Sequence, residues 1–367
     1  MLPFVMPVYH APDFGAPGLK DAPDAATAVC EADGIAPEYF HSTSMYPEYF
    51  RLGGEWRLAE ESRMDCCVVI REDGRLDVVE QRNLRAGDRV ILGRSEDGSE
   101  GIFLHADGFS LPEDAAGDRF AFRAGRSRET AYSRDYDKLY ALLQYEKEHG
   151  GKVVFVMGPA CAFDHDSRCA VQALIENGYV QGLLAGNALA THDLEAGSLG
   201  TALGQDVYTQ VSRKNGHYNH LDVLNRARRL GGIPQYIKEY GVKDGIMYAL
   251  VKTGVPFVLT GSIRDDGPLP EVYADCYRGQ AAMRDIIRDA TTVICLATQL
   301  HTIATGNMTP SFRVVNGVLR PVYLYAVDIS EFVVNKLRDR GSLSSVSVVT
   351  NVQDFVVNLQ KGILGGE

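Results

Sequence analysis

The chain has 367 residues, of which 45% are hydrophobic and 23% charged, with a formal net charge of -11. That size suits two domains of ordinary globular composition, and an acidic surface without a lysine or arginine cluster repels nucleic acid and anionic membranes, leaving small molecules as partners. No apolar run approaches the roughly 20 residues needed to span a bilayer, the N-terminal MLPFVMPVYH lacks a basic start, and seven cysteines without a CxxC pair suit a reducing compartment, so a cytoplasmic protein is expected.

Residues 1–36 are rich in Pro, Ala, Gly and Asp with little periodicity, which predicts an irregular arm over a domain or a partner subunit. From 37 to 125 the texture changes to short β-like runs at 55–58, 66–71, 76–80, 89–92 and 101–105, separated by turns such as Glu72-Asp73-Gly74. This predicts a small β-rich domain, in which adjacent Cys66 and Cys67 face opposite sides of a strand. The other cysteines, Cys30, Cys161, Cys169, Cys276 and Cys295, are read mostly as small core residues. The polar stretch FHSTSMYP at 40–47 is either a structural cap or a segment that reaches a substrate.

A charged connector near 125–135 leads into an amphipathic helix at 136–148, and strands and helices then alternate to the C-terminus. Strands are predicted at 152–157, 180–185, 255–260, 292–297, 322–327 and 345–349, with helices at 167–176, 221–230, 244–252, 273–288 and 329–338. The fold class is therefore α/β: a mostly parallel sheet wrapped by helices over 126–367, beside the smaller β-rich domain. In such a sheet ligands bind where the chain leaves the carboxyl ends of the strands.

Those strand ends carry distinctive residues. PFVLTGSIRDDGPLP (256–270) breaks from an apolar strand into a loop with Arg264, Asp265 and Asp266; others pass into Gly158-Pro159, into Asn187 and Ala188, into Thr298-Gln299-Leu300-His301, into Asp328, and into Thr350-Asn351-Val352. Glycines admit a phosphate close to the backbone, helix starts offer free N–H groups to anions, and an acid such as Asp328 can accept from ribose hydroxyls or cap the next helix. No G-x-G-x-x-G follows the first strand, and GSLGTALG (197–204) lacks the lysine of a P-loop. HYNH (217–220) has no carboxylate or cysteine at a ligand spacing, so no metal is expected. His192 with Asp193, and His301, are read as polar contacts in a cofactor pocket.

The motifs GNALATHDLE, GHYNHLD, PFVLTGSIRDDGPLP, ATQLHTIATGNM and VDIS resemble the family of archaeal-type ornithine cyclodeaminases, which includes the C-terminal part of cyanobacterial bifunctional arginine dihydrolase/ornithine cyclodeaminases. The resemblance spans about residues 35 to 360, including FHSTSMYP and GEWRLAEESRMD. It implies an NAD-binding domain similar to that of deoxyhypusine synthase, with NAD contacted by Asn187, Ala188, Asp266, Thr298, Gln299, Leu300, His301, Asp328, Asn351 and Val352. It also implies a homo-oligomer that converts an amino acid such as ornithine to proline and ammonia through internal hydride transfer and return. For that chemistry Arg264 is assigned the α-carboxylate, Asp265 the distal ammonium and His301 a proton. The chain departs from the archaeal pattern in GPACAFDHDSR (158–168) and in an insertion at 309–321, both candidate linings of the substrate pocket. A net amino-acid or opine-type dehydrogenase, and a non-catalytic module holding NAD or an amino acid, are the alternatives; free NADH would change with substrate in the first and no product would form in the second.

Overall fold

The computed structural model describes residues 3–110, 132–265, 267–330 and 344–365. Its larger part is a parallel sheet of β1 (Val153–Met157), β2 (Gly182–Gly186), β3 (Phe257–Thr260), β4 (Val272–Tyr273), β5 (Thr292–Leu296), β6 (Tyr323–Asp328) and β7 (Ser344–Val349). The order is β4-β3-β2-β1-β5-β6-β7, every pair parallel. The helices are α1 (Tyr132–Glu148), α2 (His165–Glu176), α3 (Asn187–Leu199), α4 (Asn219–Leu230), α5 (Ile233–Glu239), α6 (Ile246–Thr253), α7 (Cys276–Ile287), α8 (Gln299–Met308) and α9 (Val352–Leu364).

The strands read as unbroken apolar runs because both faces are covered. Phe155, Met157, Leu183, Ile294, Leu296 and Tyr325 pack with α1, α2, α6 and α9 on one side. Val154, Val156, Leu184, Val293, Cys295 and Leu324 pack with α7 and the end of α8 on the other. Among the described residues, no helix is long and apolar enough to cross a membrane.

The β-like runs form a four-stranded antiparallel sheet, whose edge strand Ala26–Val29 pairs with Arg89–Leu92, and a three-stranded one centred on Glu48–Leu52. The stretch expected as an irregular arm therefore contributes a strand. Cys66 lies in one core and Cys67 in the other, as strand alternation requires. Cys276, expected in a core, is exposed because it opens α7 just after the capping Asp275.

Residues 40–47 are folded into this part of the chain. His41 is buried against Glu48 at 3.1 Å, Ser44 O accepts from Ser62, and Met45 O accepts from Ser311. Arg63 crosses to the parallel-sheet domain and donates to Asn307 O at 2.9 Å, where it meets the last turn of α8 and its exposed carbonyls. Arg284 of α7 returns the contact to Glu61 and Glu80 at 2.9 and 2.8 Å. The insertion at 309–321 is a hairpin, Phe312–Val315 with Val318–Pro321, and its Arg320 makes a buried bidentate pair with Glu146 of α1. It leads into the first residue of β6, so it lies at the amino edge of the sheet. That is the edge opposite the strand mouths, and the insertion does not line them.

The chain turns to opposite sides after β1 and β5, which makes their carboxyl ends the topological switch point. Here the backbones approach closely: Gly158 N donates to Leu296 O at 2.8 Å, and a Cβ added at Gly158 would fall 2.0 Å from Ala297 O. Gly158 has ordinary extended dihedrals, so what it supplies is space. Ala297 supplies the conformational strain, with φ of 47°. Gly158→Ala must push β1 and β5 apart at the mouth, and overpacking of this kind costs about 1–3 kcal/mol. Urea unfolding should show a lower midpoint for this variant; an unchanged midpoint would mean that the two loops are free to separate.

Candidate functional site

The unit β5-α8-β6 has the form of a dinucleotide-binding βαβ motif without its glycines. Strand β5 ends at Leu296, Ala297 makes the tight turn in a left-handed conformation, and α8 starts at Gln299. Thr298 occupies the cap position but its side chain accepts from no backbone N–H of the helix, so the first-turn N–H groups are left for another acceptor. Its hydroxyl bonds His301 Nδ1 at 3.3 Å instead. Gln299 and Leu300 are exposed beside it.

Asp328 closes the unit at the carboxyl end of β6. One carboxylate oxygen accepts from Ser330 N at 2.8 Å, the Asx turn expected of a residue leaving a strand. The side chain is half-buried, and Thr350 N bonds its backbone carbonyl at 3.1 Å, which ties the loop after β7 to the same mouth. There Asn351 Oδ1 caps α9 through Gln353 N at 2.7 Å, and Val352 is buried in the core. Asn351 is therefore occupied as a cap, and Val352 offers backbone only.

On the other side of the switch point, His301 reaches past the end of β2 to Thr260 at the end of β3, with Nε2 to Oγ1 2.7 Å. Both ring nitrogens thus meet threonine hydroxyls. Burial pushes the imidazole pKa below its usual value, with the Asp265 charge pulling the other way. The ring can lie here because Gly186 has no side chain; a Cβ there would come 3.1 Å from Cε1.

The 261–267 loop starts directly after Thr260. Asp265 accepts from Ser262 N at 2.8 Å and Ser262 Oγ at 3.2 Å, closing the loop on itself. Arg264 is exposed and pairs with no acid among the described residues; Asp266 lies outside the described residues. Asn187, buried at the start of α3, accepts from Leu269 N at 3.0 Å and reaches Gly267 O at 3.4 Å. Its side chain holds the loop in place. Ala188, half-buried beside it, stands in the first turn of a helix that has no side-chain cap.

The histidine and aspartate of GNALATHD are placed elsewhere. His192 bonds buried Glu195 at 3.0 Å, and Glu195 also takes Thr201 Oγ1, Leu203 N and Gly204 N. Asp193 binds Arg168 at 2.8 Å and caps α6 through Ile246 N and Met247 N. Among the described residues both act as internal scaffolding, their bonds running to Glu195, Arg168 and the start of α6. Thr260 is the neighbour that sequence reasoning left out of the site, and Gly158 is legible there only as a strand end, without its approach to Ala297. A hydroxyl closing a strand and a glycine closing another are signals that become specific only once the strand order is known.

This architecture agrees with known proteins. Residues 138–359 match the family model described as arginine dihydrolase ArgZ-like, C-terminal, Rossmann fold, and 47–102 match the first region of the same C-terminal part. The chain is 39% identical over 342 residues to an ornithine cyclodeaminase of Archaeoglobus fulgidus, covering 92% of this chain and 78% of that one. A conserved LOR/SDH protein of Methanococcus maripaludis superposes with a TM-score of 0.82 at 32% identity, covering 93% and 98%. The ternary complex of AgrE with ornithine and NAD+ superposes at 0.58 and 34% identity, covering 94% of this chain and 46% of AgrE. On the Rossmann-fold match and these relatives, the chain belongs to the family of ArgZ-like C-terminal domains, together with the archaeal ornithine cyclodeaminases.

Proposed function

We propose that the chain is an NAD-dependent ornithine cyclodeaminase, forming proline and ammonia from ornithine with no net redox change. The observation that carries this reading is the convergence, at one switch point, of a dinucleotide-type β5-α8-β6 unit ending in Asp328 with the Arg264–Asp265 loop and His301. The relative solved with ornithine and NAD+ adds the ligand pair.

The residues present fit a dinucleotide. The helix starts at Gln299 and Asn187 carry no side-chain cap, the Gly158 side of the crevice has no side chain, and Asp328 brings a half-buried carboxylate to the same mouth. In this reading the N–H groups of Thr298, Gln299 and Leu300 would receive phosphate oxygens, Asp328 would take ribose hydroxyls, and Ala188, Asn351 and Val352 would border the cofactor. Bound NAD supplies an acceptor that takes the α-hydrogen of the substrate as hydride and gives it back at the end. Arg264, which pairs with no acid among the described residues, offers a planar bidentate fork to the α-carboxylate. Asp265, held by Ser262, faces the distal ammonium with a fixed negative charge. His301, kept neutral by burial, is in the protonation state that can take a proton from that ammonium so that the free amine can attack.

Purified protein incubated with ornithine should yield proline and ammonia in equal amounts, without a rise in the absorbance of reduced nicotinamide. Ornithine left unchanged, or reduced nicotinamide formed in step with its loss, overturns the reading. Asp328→Asn keeps the acceptor for Ser330 N and removes the charge. Losing a charge-assisted bond to ribose should weaken NAD binding by roughly 1.5–3 kcal/mol, about ten- to a hundredfold, while the melting temperature of the free protein hardly moves. Titration calorimetry giving equal affinities for variant and parent removes the ribose role.

A further inference from the structure

His301 is the titratable group at the mouth whose ring is held from both sides. Thr260 closes β3 and Thr298 precedes α8, so the two hydroxyls belong to elements on opposite sides of the switch point. Their bonds are unequal: 2.7 Å from Thr260 Oγ1 to Nε2, against 3.3 Å from Thr298 Oγ1 to Nδ1. A neutral imidazole has one nitrogen that donates and one that accepts, whereas a threonine hydroxyl can do either. The pair therefore permits both tautomers, and the close bond makes Thr260 the stronger hold on the ring. Gly186 lets the ring lie flush on the end of β2, 3.1 Å from where a Cβ would stand.

We propose that Thr260 is a positioning residue for the reaction, its hydroxyl holding the ring plane in which His301 meets the substrate and, through that bond, the balance of its tautomers. The inference rests on the cyclodeaminase reading for its effect on turnover, but not for its effect on the ring. If His301 exchanges a proton with the substrate amine, the nitrogen that does so must be the one lacking hydrogen, and a ring in the wrong tautomer presents a donor there. A ring that lost the Thr260 bond would keep only the long contact to Thr298. It would then distribute between tautomers and pivot about the Cβ–Cγ bond.

The test uses the full chain with its histidine rings labelled with nitrogen-15 and no substrate present, the His301 signals being assigned by their loss in His301→Gln. The parent should show one neutral tautomer near pH 7. Thr260→Val, which matches the shape without the hydroxyl, should move the two ring signals toward an average of both tautomers, and Thr260→Ser should restore the parental pattern. With ornithine, Thr260→Val should lower kcat about tenfold or more with KM little changed, and Thr260→Ser should recover most of it. Should the valine variant not fold, Thr260→Ala is measured in its place with the same expectation. Ring signals unmoved by loss of the hydroxyl, or a folded serine variant that fails to restore them, overturn the proposal. Ring signals that respond as expected in a protein inert toward ornithine support the positioning role and refute the cyclodeaminase reading alone.

Discussion

Everything at the mouth depends on how closely β1 and β5 leave the sheet side by side. Parallel strands whose crossovers depart to opposite faces open a crevice at their carboxyl ends, and here its floor is set by Gly158 against the carbonyl of Ala297. A side chain at 158 would widen that gap, and the left-handed turn at Ala297 would then no longer aim α8 across the strand ends. The position of His301 follows, since a residue one turn into α8 reaches Thr260 on β3 only if the helix starts low over β1 and β2. The fold thus builds in two non-glycine positions what a glycine-rich turn builds elsewhere: Ala297 bears the strain, and Thr298 leaves the helix start open.

The second constraint is the satisfaction of buried polar groups. Helix α3 is buried along nearly all its length although its sequence carries Asn187, Thr191, His192, Asp193 and Glu195. Burying such groups without partners costs several kcal/mol each, and most are spent on scaffolding: Asn187 on the 267–269 backbone, Asp193 on Arg168 and the start of α6, Glu195 on His192 and the 201–204 turn. The loop bearing Arg264 and Asp265 is tied by Asn187 below, through Leu269 N, and by the Ser262–Asp265 bonds within. At the far end of α8, Arg63 ties the last-turn carbonyl of Asn307 to the β-rich domain, so both ends of the helix that bears His301 are anchored.

The sheet strands were legible in the sequence because double burial leaves continuous apolar runs, and their bounds shift by only a residue or two. Helices α3, α5, α8 and α9 were not. An exposed helix announces itself by an apolar stripe, but α3 is covered all round and α8 carries threonines and a glycine on its buried side, so neither shows the period. The strand ends were therefore visible while the residues after them read as loops. The predicted helix at 273–288 begins at Cys276 because Val272–Tyr273 adds an edge strand, and the helix predicted at 329–338 falls almost wholly outside the described residues. Arg264, Asp265, His301, Asp328, Asn187 and Asn351 all lie on strand mouths as expected, yet composition could not show that Asn187 and Asn351 have their side chains committed to holding backbone. That distinction needs partners distant in sequence. The polar segment 40–47 illustrates the same limit, since its bonds to Ser62 and Ser311 make it an interface piece.

The central claim is that one mouth removes and restores the same hydrogen at the α-carbon of ornithine. Ornithine deuterated at that carbon tests it most directly, with the proline product analysed by mass and by nuclear magnetic resonance. The account predicts deuterium retained at the α-carbon of proline, because the hydride taken from that carbon would be the one returned to it. Proline carrying ordinary hydrogen at that carbon, with the label in bulk solvent or in free reduced nicotinamide, would contradict it.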